Sequence, residues 1–198
     1  MRPDPSQSLR DQHASLAAVL RSLLLMMDRG PGDEPERFFD VLRAMLFYID
    51  EFPERRHHKR ESEVLFPLVL KVAPELAGVI EALEADHQRG EANVRELQHL
   101  LLAWELLGDS RRAEFERRAH KYVRFYLDHM RVEETEVLPV AMRLLGAGQW
   151  AALDAAFRSD PDPLAAGSRD GVYDRLYTRI LMTTPAPIGV GPELARTR

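Results

Sequence analysis

"HHKRESEVLFP", residues 57–67, and "HMRVEETEVLP", residues 129–139, carry one pattern twice. His57 aligns with His129, Glu61 with Glu133, and Pro67 with Pro139. Four residues along an α-helix advance about 400°, so a histidine and the glutamate four places on share one face. If both faces turn into one helical interior, two imidazoles and two carboxylates converge.

Two more histidines fit the same scheme. His13 is in phase with Leu9, Leu16 and Leu20, and His87 with Ile80, Leu83 and Val94. His13 and His87 lie 74 positions apart, and His57 and His129 lie 72 apart. The chain reads as two helix pairs, each giving a lone histidine and then a His-x-x-x-Glu. Outside these motifs the two halves share little identity.

Apolar residues recur at helical spacing along most of the chain. Leu9, Leu16, Leu20, Leu23 and Met27 mark a first helix, closed by the Gly/Pro-rich "RGPGDEP" at 29–35. Phe38, Leu42, Met45 and Ile49 mark a second, in which Pro53 is expected to kink or briefly end the helix before it runs on to Pro67. Pro74 opens a long third helix and Gly108 stops it, with Asp109 or Ser110 as the expected next cap. Phe115, Ala119, Tyr122, Phe125 and Tyr126 lead a fourth helix that "GAG" ends at 146–148. No segment reads as a strand. The expected fold is all-α: an up-down antiparallel four-helix bundle over residues 1–146. Residues 147–198 read as a C-terminal extension packed on it. That extension holds short helices at 149–157 and 172–182, a loop at 159–171 and a Pro/Gly-rich tail.

Composition narrows the function. With 198 residues the chain can bury a real core. It has no cysteine, which excludes disulfides, thiolate metal sites and cysteine nucleophiles. The net charge of −5, with no dense basic stripe, argues against nucleic acid as partner. No stretch reaches the roughly 20 apolar residues of a membrane span, and the N-terminus lacks a signal-peptide core. A cytoplasmic protein is the expectation.

Four imidazoles and two carboxylates at one level are too many for a single tetrahedral zinc. They suit two ions: His13 and His57 on one, His87 and His129 on the other, with Glu61 and Glu133 spanning both. Each ion would keep open positions for a small molecule such as dioxygen, peroxide or nitric oxide.

The set His13, His57-x-x-x-Glu61, His87, His129-x-x-x-Glu133 resembles the hemerythrin-like (HHE cation-binding) proteins, and the tail is similar to a bacterial branch with an extended C-terminus. The resemblance implies a non-haem di-iron centre in a four-helix bundle. It also implies dioxygen binding, oxygen, redox or nitric oxide sensing, iron handling or peroxide chemistry. Manganese and zinc are alternative metals for such a donor set. The dioxygen carriers of that family place two histidines four apart on the third helix, and here the position four after His87 is Glu91. That departure disfavours reversible transport and favours a site that reacts with peroxide or dioxygen, or Glu91 as a substitute ligand. No catalytic residue can be assigned, and turnover as an enzyme is left open.

Several residues carry weaker expectations. His58 lies about 100° around the helix from His57, which suggests a supporting or surface role. Tyr122 and Tyr126 could face the metals, one of them donating to a bound oxygen species, or be core tyrosines. Asp11 and Asp86 could orient imidazoles. Glu134, Glu136, His99 and His120 read as exposed or structural, and "ERRHHKRE" as a solvated face apart from His57 and Glu61. The apolar run "LRSLLLMM" is core packing that could extend onto a homodimer interface.

Overall fold

The computed structural model describes residues 6–159 together with Leu164, Ile180 and Met182. Helix α1 spans Gln7–Arg29 and stops at Gly30, whose φ of 68° turns the chain while its N–H caps the carbonyls of Met26 and Met27. Helix α2 starts at Pro35–Ile49, with proline in its first turn, where a missing N–H costs nothing. A 3₁₀ turn at Pro74–Leu76 leads into α3, Ala77–Leu107. A second 3₁₀ turn at Asp109–Arg111 leads into α4, which starts as Arg112–Val132. Asp109 does not cap this helix; its carboxylate accepts a 2.9 Å bond from the Trp104 indole. Helix α5, Ala147–Arg158, begins where the Gln149 side chain accepts the Gly146 N–H at 2.9 Å. The expected helix at 172–182 apart from Ile180 and Met182, and most of the loop and tail around it, lie outside the described residues.

Pro53 does not end α2. The chain passes through a π segment, Asp50–His57, in which the His58 N–H reaches the Pro53 carbonyl five residues back. It continues as His58–Arg60, a second π segment Glu61–Leu65, and Phe66–Val72. α4 repeats the device: π segment Glu133–Val137, then Leu138–Leu144. In both, the glutamate of the repeated motif starts the wide turn, and its carbonyl accepts from Phe66 or Leu138. The repeated prolines Pro67 and Pro139 lie just beyond. A proline lacks the N–H that a regular turn needs and crowds the carbonyl four residues back, so the ladder there opens.

α1 packs on α2 and α4, and α3 packs on the same two, closing an up-down antiparallel ring of four helices. The interior has three layers. One apolar cluster, including Leu20, Met45, Trp104 and Phe115, fills the end where α1 turns into α2. A second, including Leu65, Val69, Leu138 and Ala141, fills the other end and takes in Trp150, Leu153 and Phe157 of α5. Between them lie buried histidines and glutamates: His13, Glu54, His57, His58, Glu61, His87, His129 and Glu133. Among the described residues no helix is long and apolar enough to cross a membrane.

Candidate metal centre

Each of the four bundle helices delivers an imidazole to this middle layer, and α2 and α4 also deliver a carboxylate. His13 and His57 bring their Nε2 atoms to 3.1 Å, and His87 and His129 bring theirs to 3.2 Å. Glu61 lies between the pairs, Oε1 at 3.0 Å from His57 and Oε2 at 3.4 Å from His87. Glu133 spans them as well, Oε2 at 3.3 Å from His13 and Oε1 at 3.2 Å from His129. All six side chains expected from the sequence therefore meet in one place.

The spacing and the chemistry fit metal. Two donors at right angles on one ion, with bonds of about 2.1 Å, sit about 3 Å apart. Both oxygens of Glu61 and of Glu133 are buried without an aligned hydrogen bond, an arrangement that is costly for a carboxylate with nothing else to balance it. Two overlapping groups come within ligand reach, His13–His57–Glu61 and His58–Glu61–His87–His129, so Glu61 belongs to both. His58 is the odd member. Its ring lies parallel to that of His87, 8° off and 4.1 Å away, so their lone pairs run side by side and do not converge. Its Nδ1 faces Glu54 instead, at 3.2 Å from Oε2.

Each converging histidine has a polar group behind it. Nδ1 of His57 meets Gln12 Oε1 at 2.8 Å, and that of His13 meets Glu134 at 3.0 Å. Nδ1 of His87 meets the Ser62 hydroxyl at 3.2 Å, and that of His129 lies 3.5 Å from Asp86. Partners behind His13, His57 and His87 hold the proton on Nδ1 and turn the Nε2 lone pair inward, as around metal-bound histidine, whereas His129 Nδ1 has no aligned hydrogen bond and Asp86 acts on it through charge. Ser62 in turn donates to Glu84 at 2.8 Å.

Electrostatics follow from this crowding. Burial works against charge on His13, but Glu134, Glu61 and Glu133 outweigh it and push its pKa up to about 10. Burial likewise opposes charge on His129, and Glu133, Glu61 and Asp86 raise it to about 9. Burial would raise Glu61, yet His57, His13 and His87 hold it well below the usual carboxylate range. His58 is pushed well below the usual histidine range by burial and by neighbouring His87. Glu54 is pushed up to about 7 by burial, against the hydrogen bonds it receives from Tyr126 and Tyr122. The carboxylates thus draw cations, and in the absence of metal those cations are protons on imidazole.

Two depressions reach the layer. A narrow one of about 20 Å³ touches His13 and His57 and is walled by Gln12, Leu16, Tyr48, Phe52, Pro53, Arg56 and Arg60. A wider groove of about 510 Å³ between α3 and α4 reaches His129 past Asp86 and Phe125.

The weaker expectations divide here, some met and some corrected. Glu91 is no substitute ligand: it lies at the surface, paired with Arg95 at 3.0 Å. Tyr122 and Tyr126 are buried, but both hydroxyls donate to Glu54, at 2.8 Å from Tyr122 and closer from Tyr126. Asp11 is exposed and accepts from Gln7, so it orients no imidazole. Glu134 is only partly exposed and is tied to His13, while Glu136, His99 and His120 are exposed. Within "ERRHHKRE" Glu54 and His58 are buried as well as His57 and Glu61. At about 100° per residue these four span an inward arc of about 100° whose centre falls between His57 and His58. Centring that face on His57 is what made His58 look peripheral and hid Glu54. Gln12 and Ser62, each next to a ligand-type residue in sequence, carried no distinguishing signal.

Compared with known families, residues 4–141 match the hemerythrin HHE cation binding domain. No curated protein matches the chain.

Proposed function

The chain belongs to the hemerythrin HHE cation-binding family, and from that premise we propose that it is a non-haem di-iron protein whose centre reacts with a small oxidant such as hydrogen peroxide or dioxygen. The observation that carries this reading is the pair of buried glutamates, each with one oxygen toward His13 and His57 and the other toward His87 and His129. His13 and His57 would hold one iron, His87 and His129 the other, and Glu61 and Glu133 would bridge. A pair of irons so held supplies one- and two-electron redox chemistry toward oxygen species.

The protein's own contribution is orientation and exclusion. Gln12, Glu134 and Ser62 fix the imidazoles of His57, His13 and His87, and Asp86 places a negative charge 3.5 Å behind His129. The two apolar clusters above and below keep bulk water away. The narrow depression beside His13 and His57 admits something of about water size, since one water needs some 10–15 Å³ by the same measure. On the His13–His57 side that favours a diatomic or peroxide over a larger substrate, and the wider groove on the other side ends on His129, which is 2% exposed.

The test is the metal content of freshly purified protein by elemental analysis, with an absorption spectrum in air. About two irons per chain and a charge-transfer band are expected, both lost in His57→Ala and Glu133→Ala. Zinc, or a single ion, would sink the di-iron reading.

A second reading, sensing without turnover, has one observation behind it. Phe157 of α5 packs edge-on against the His57 ring at 5.5 Å, and its carbonyl accepts from Gln12 at 3.3 Å. A change at the metal would then reach the C-terminal helix. Limited proteolysis of metal-free, reduced and oxidised protein tests this; identical patterns would exclude it.

A further inference from the structure

Four buried groups beside the centre have no part in the reading above. Tyr122, Tyr126, Glu54 and His58 come from α2 and α4 and form one hydrogen-bonded and stacked unit. Both tyrosine hydroxyls donate to the same oxygen of Glu54, Oε1. The His58 ring stacks on His87 at 4.1 Å and 8°, and on Tyr126 at 5.5 Å and 2°. His87, His58 and Tyr126 therefore form a nearly parallel column that starts at a histidine of the centre and ends at a phenol. Gly90 makes room for it: a Cβ there would run into the Tyr126 hydroxyl and into Glu54.

Resting on the di-iron reading, we propose that Tyr126 is a redox-active residue, oxidised by the centre to a neutral phenoxyl radical while Glu54 takes its proton. Oxidising a phenol in a dry interior requires the electron and the proton to leave by separate routes, because a buried phenol radical cation is far too acidic to persist. Both routes exist here. The electron leaves along the His58–His87 column, or across the 5.8 Å contact between the Tyr126 and His129 rings. The proton moves along a hydrogen bond already made to Glu54, within the reach a proton acceptor needs. Burial of both partners keeps water and solutes from quenching the product; Tyr126 is 1% exposed and Glu54 is 4% exposed.

Hydrogen peroxide is the oxidant that balances the step. It accepts one electron from the ferrous ion of a half-oxidised, ferrous–ferric centre and one from Tyr126, so no ferrous ion remains to reduce the product. With two protons from solvent it becomes two water molecules, while the tyrosine proton stays on Glu54. The iron ends ferric, the Tyr126 O–H bond is broken, and the oxygen keeps one unpaired electron. Tyr122 supports Glu54 and is not the residue oxidised, since it lies one turn farther from His129 and has no ring contact with His58.

The experiment is anaerobic loading with ferrous iron, confirmed by elemental analysis. One-electron oxidation to the ferrous–ferric state comes next, then one equivalent of hydrogen peroxide, rapid freezing and electron paramagnetic resonance. Expected is an organic radical near the free-electron position whose hyperfine pattern narrows when tyrosine is ring-deuterated. Tyr126→Phe should lose it, Tyr122→Phe should keep it, and Glu54→Gln should lower its yield several-fold. Bound iron without such a signal overturns this proposal alone, and so does a radical that survives in Tyr126→Phe. Protein that takes up no iron overturns the proposal together with the reading it rests on.

Discussion

His13 and His57 hold their Nε2 atoms 3.1 Å apart while each turns Nδ1 outward to an acceptor, Glu134 for one and Gln12 for the other. If both rings were neutral with the proton on Nδ1, two lone pairs would face each other. A proton on His13 removes that repulsion in the metal-free protein, consistent with its pKa of about 10. A metal ion would do the same with bonds to both rings. Metal uptake at pH 7 should therefore release protons, from His13 and from His129 with its pKa of about 9. Calorimetric titration in buffers of different ionisation enthalpy measures the number. Close to two is expected for a full site, and none would show that the imidazoles are already neutral.

The same two groups set how metal-free stability depends on pH. Their folded pKa values, about 10 and about 9, lie above the histidine value of about 6.5 in an unfolded chain. A proton held more tightly by the folded state stabilises it. That contribution is complete below about pH 6.5 and is lost as pH rises through 9 and then 10. Tm of metal-free protein should fall across this range. In loaded protein the imidazoles have already lost their protons, so this part of the fall should vanish. Parallel Tm curves for the two forms would contradict the assignment.

Much of this site was readable from the chain because its main constraint is periodic. A histidine and a glutamate four apart must share a face whatever the rest of the sequence does, so His57–Glu61 and His129–Glu133 could be placed together from spacing alone. His13 and His87 followed from their phase with leucines that the bundle does bury. What stayed hidden depends on where each helix centres its inward face and on which distant side chain arrives behind an imidazole. Glu54 sits inside because the buried arc of α2 is centred between His57 and His58, and spacing fixes the width of such an arc but not its centre. Gln12 and Ser62 act across helix pairs, contacts that no local pattern encodes. Pro53 read as a break because a regular helix cannot keep its ladder there, whereas a wide turn can.

Gly90 tests how tightly that inner arc is packed. An alanine Cβ would fall within 2.7 Å of Glu54 Oε1 and overlap the Tyr126 hydroxyl, and both groups are buried and hydrogen-bonded to each other. The usual gain of alanine over glycine within a helix, about 1 kcal/mol, should be outweighed by the overpacking, which typically costs 1–3 kcal/mol. Gly90→Ala should lower the stability of the metal-free protein in urea unfolding. A Gly78→Ala control, with open space around the new methyl, should not. Equal effects would mean that the tyrosines and Glu54 repack freely.

Phe157 joins α5 to the centre. Its side chain is 2% exposed, belongs to the lower apolar cluster and packs against His57. Truncation to alanine should cost about 3–5 kcal/mol, the range for a buried phenylalanine. It should also speed loss of metal from the His13–His57 position, because one wall of the imidazole is removed. Chelator-driven release followed by absorption measures this. Release unchanged despite the lower stability would confine α5 to a packing role.

The two π turns lead to a prediction in which stability and binding part company. Pro67 and Pro139 are both exposed, so neither contributes much packing. Their effect is on the ladder: a proline costs about 3 kcal/mol relative to alanine inside a regular helix, chiefly through the missing N–H and the clash four residues back. Replacing either with alanine allows the N–H of residue 67 or 139 to seek a regular partner and the wide turn after Glu61 or Glu133 to tighten. On α4 the Thr135 hydroxyl, bonded to the Arg131 carbonyl at 2.7 Å, also loosens the turn, so that side should change less. Tightening rotates the motif glutamate against its histidine, whose placement suits a shared ion only in the present register. Pro67→Ala should therefore leave metal-free Tm unchanged or higher while metal affinity falls, with Pro139→Ala weaker in both respects. Thermal unfolding with and without metal, beside a competitive chelator titration, checks both limbs. If affinity holds while Tm rises, the prolines are incidental to the centre; if both fall together, they act by packing.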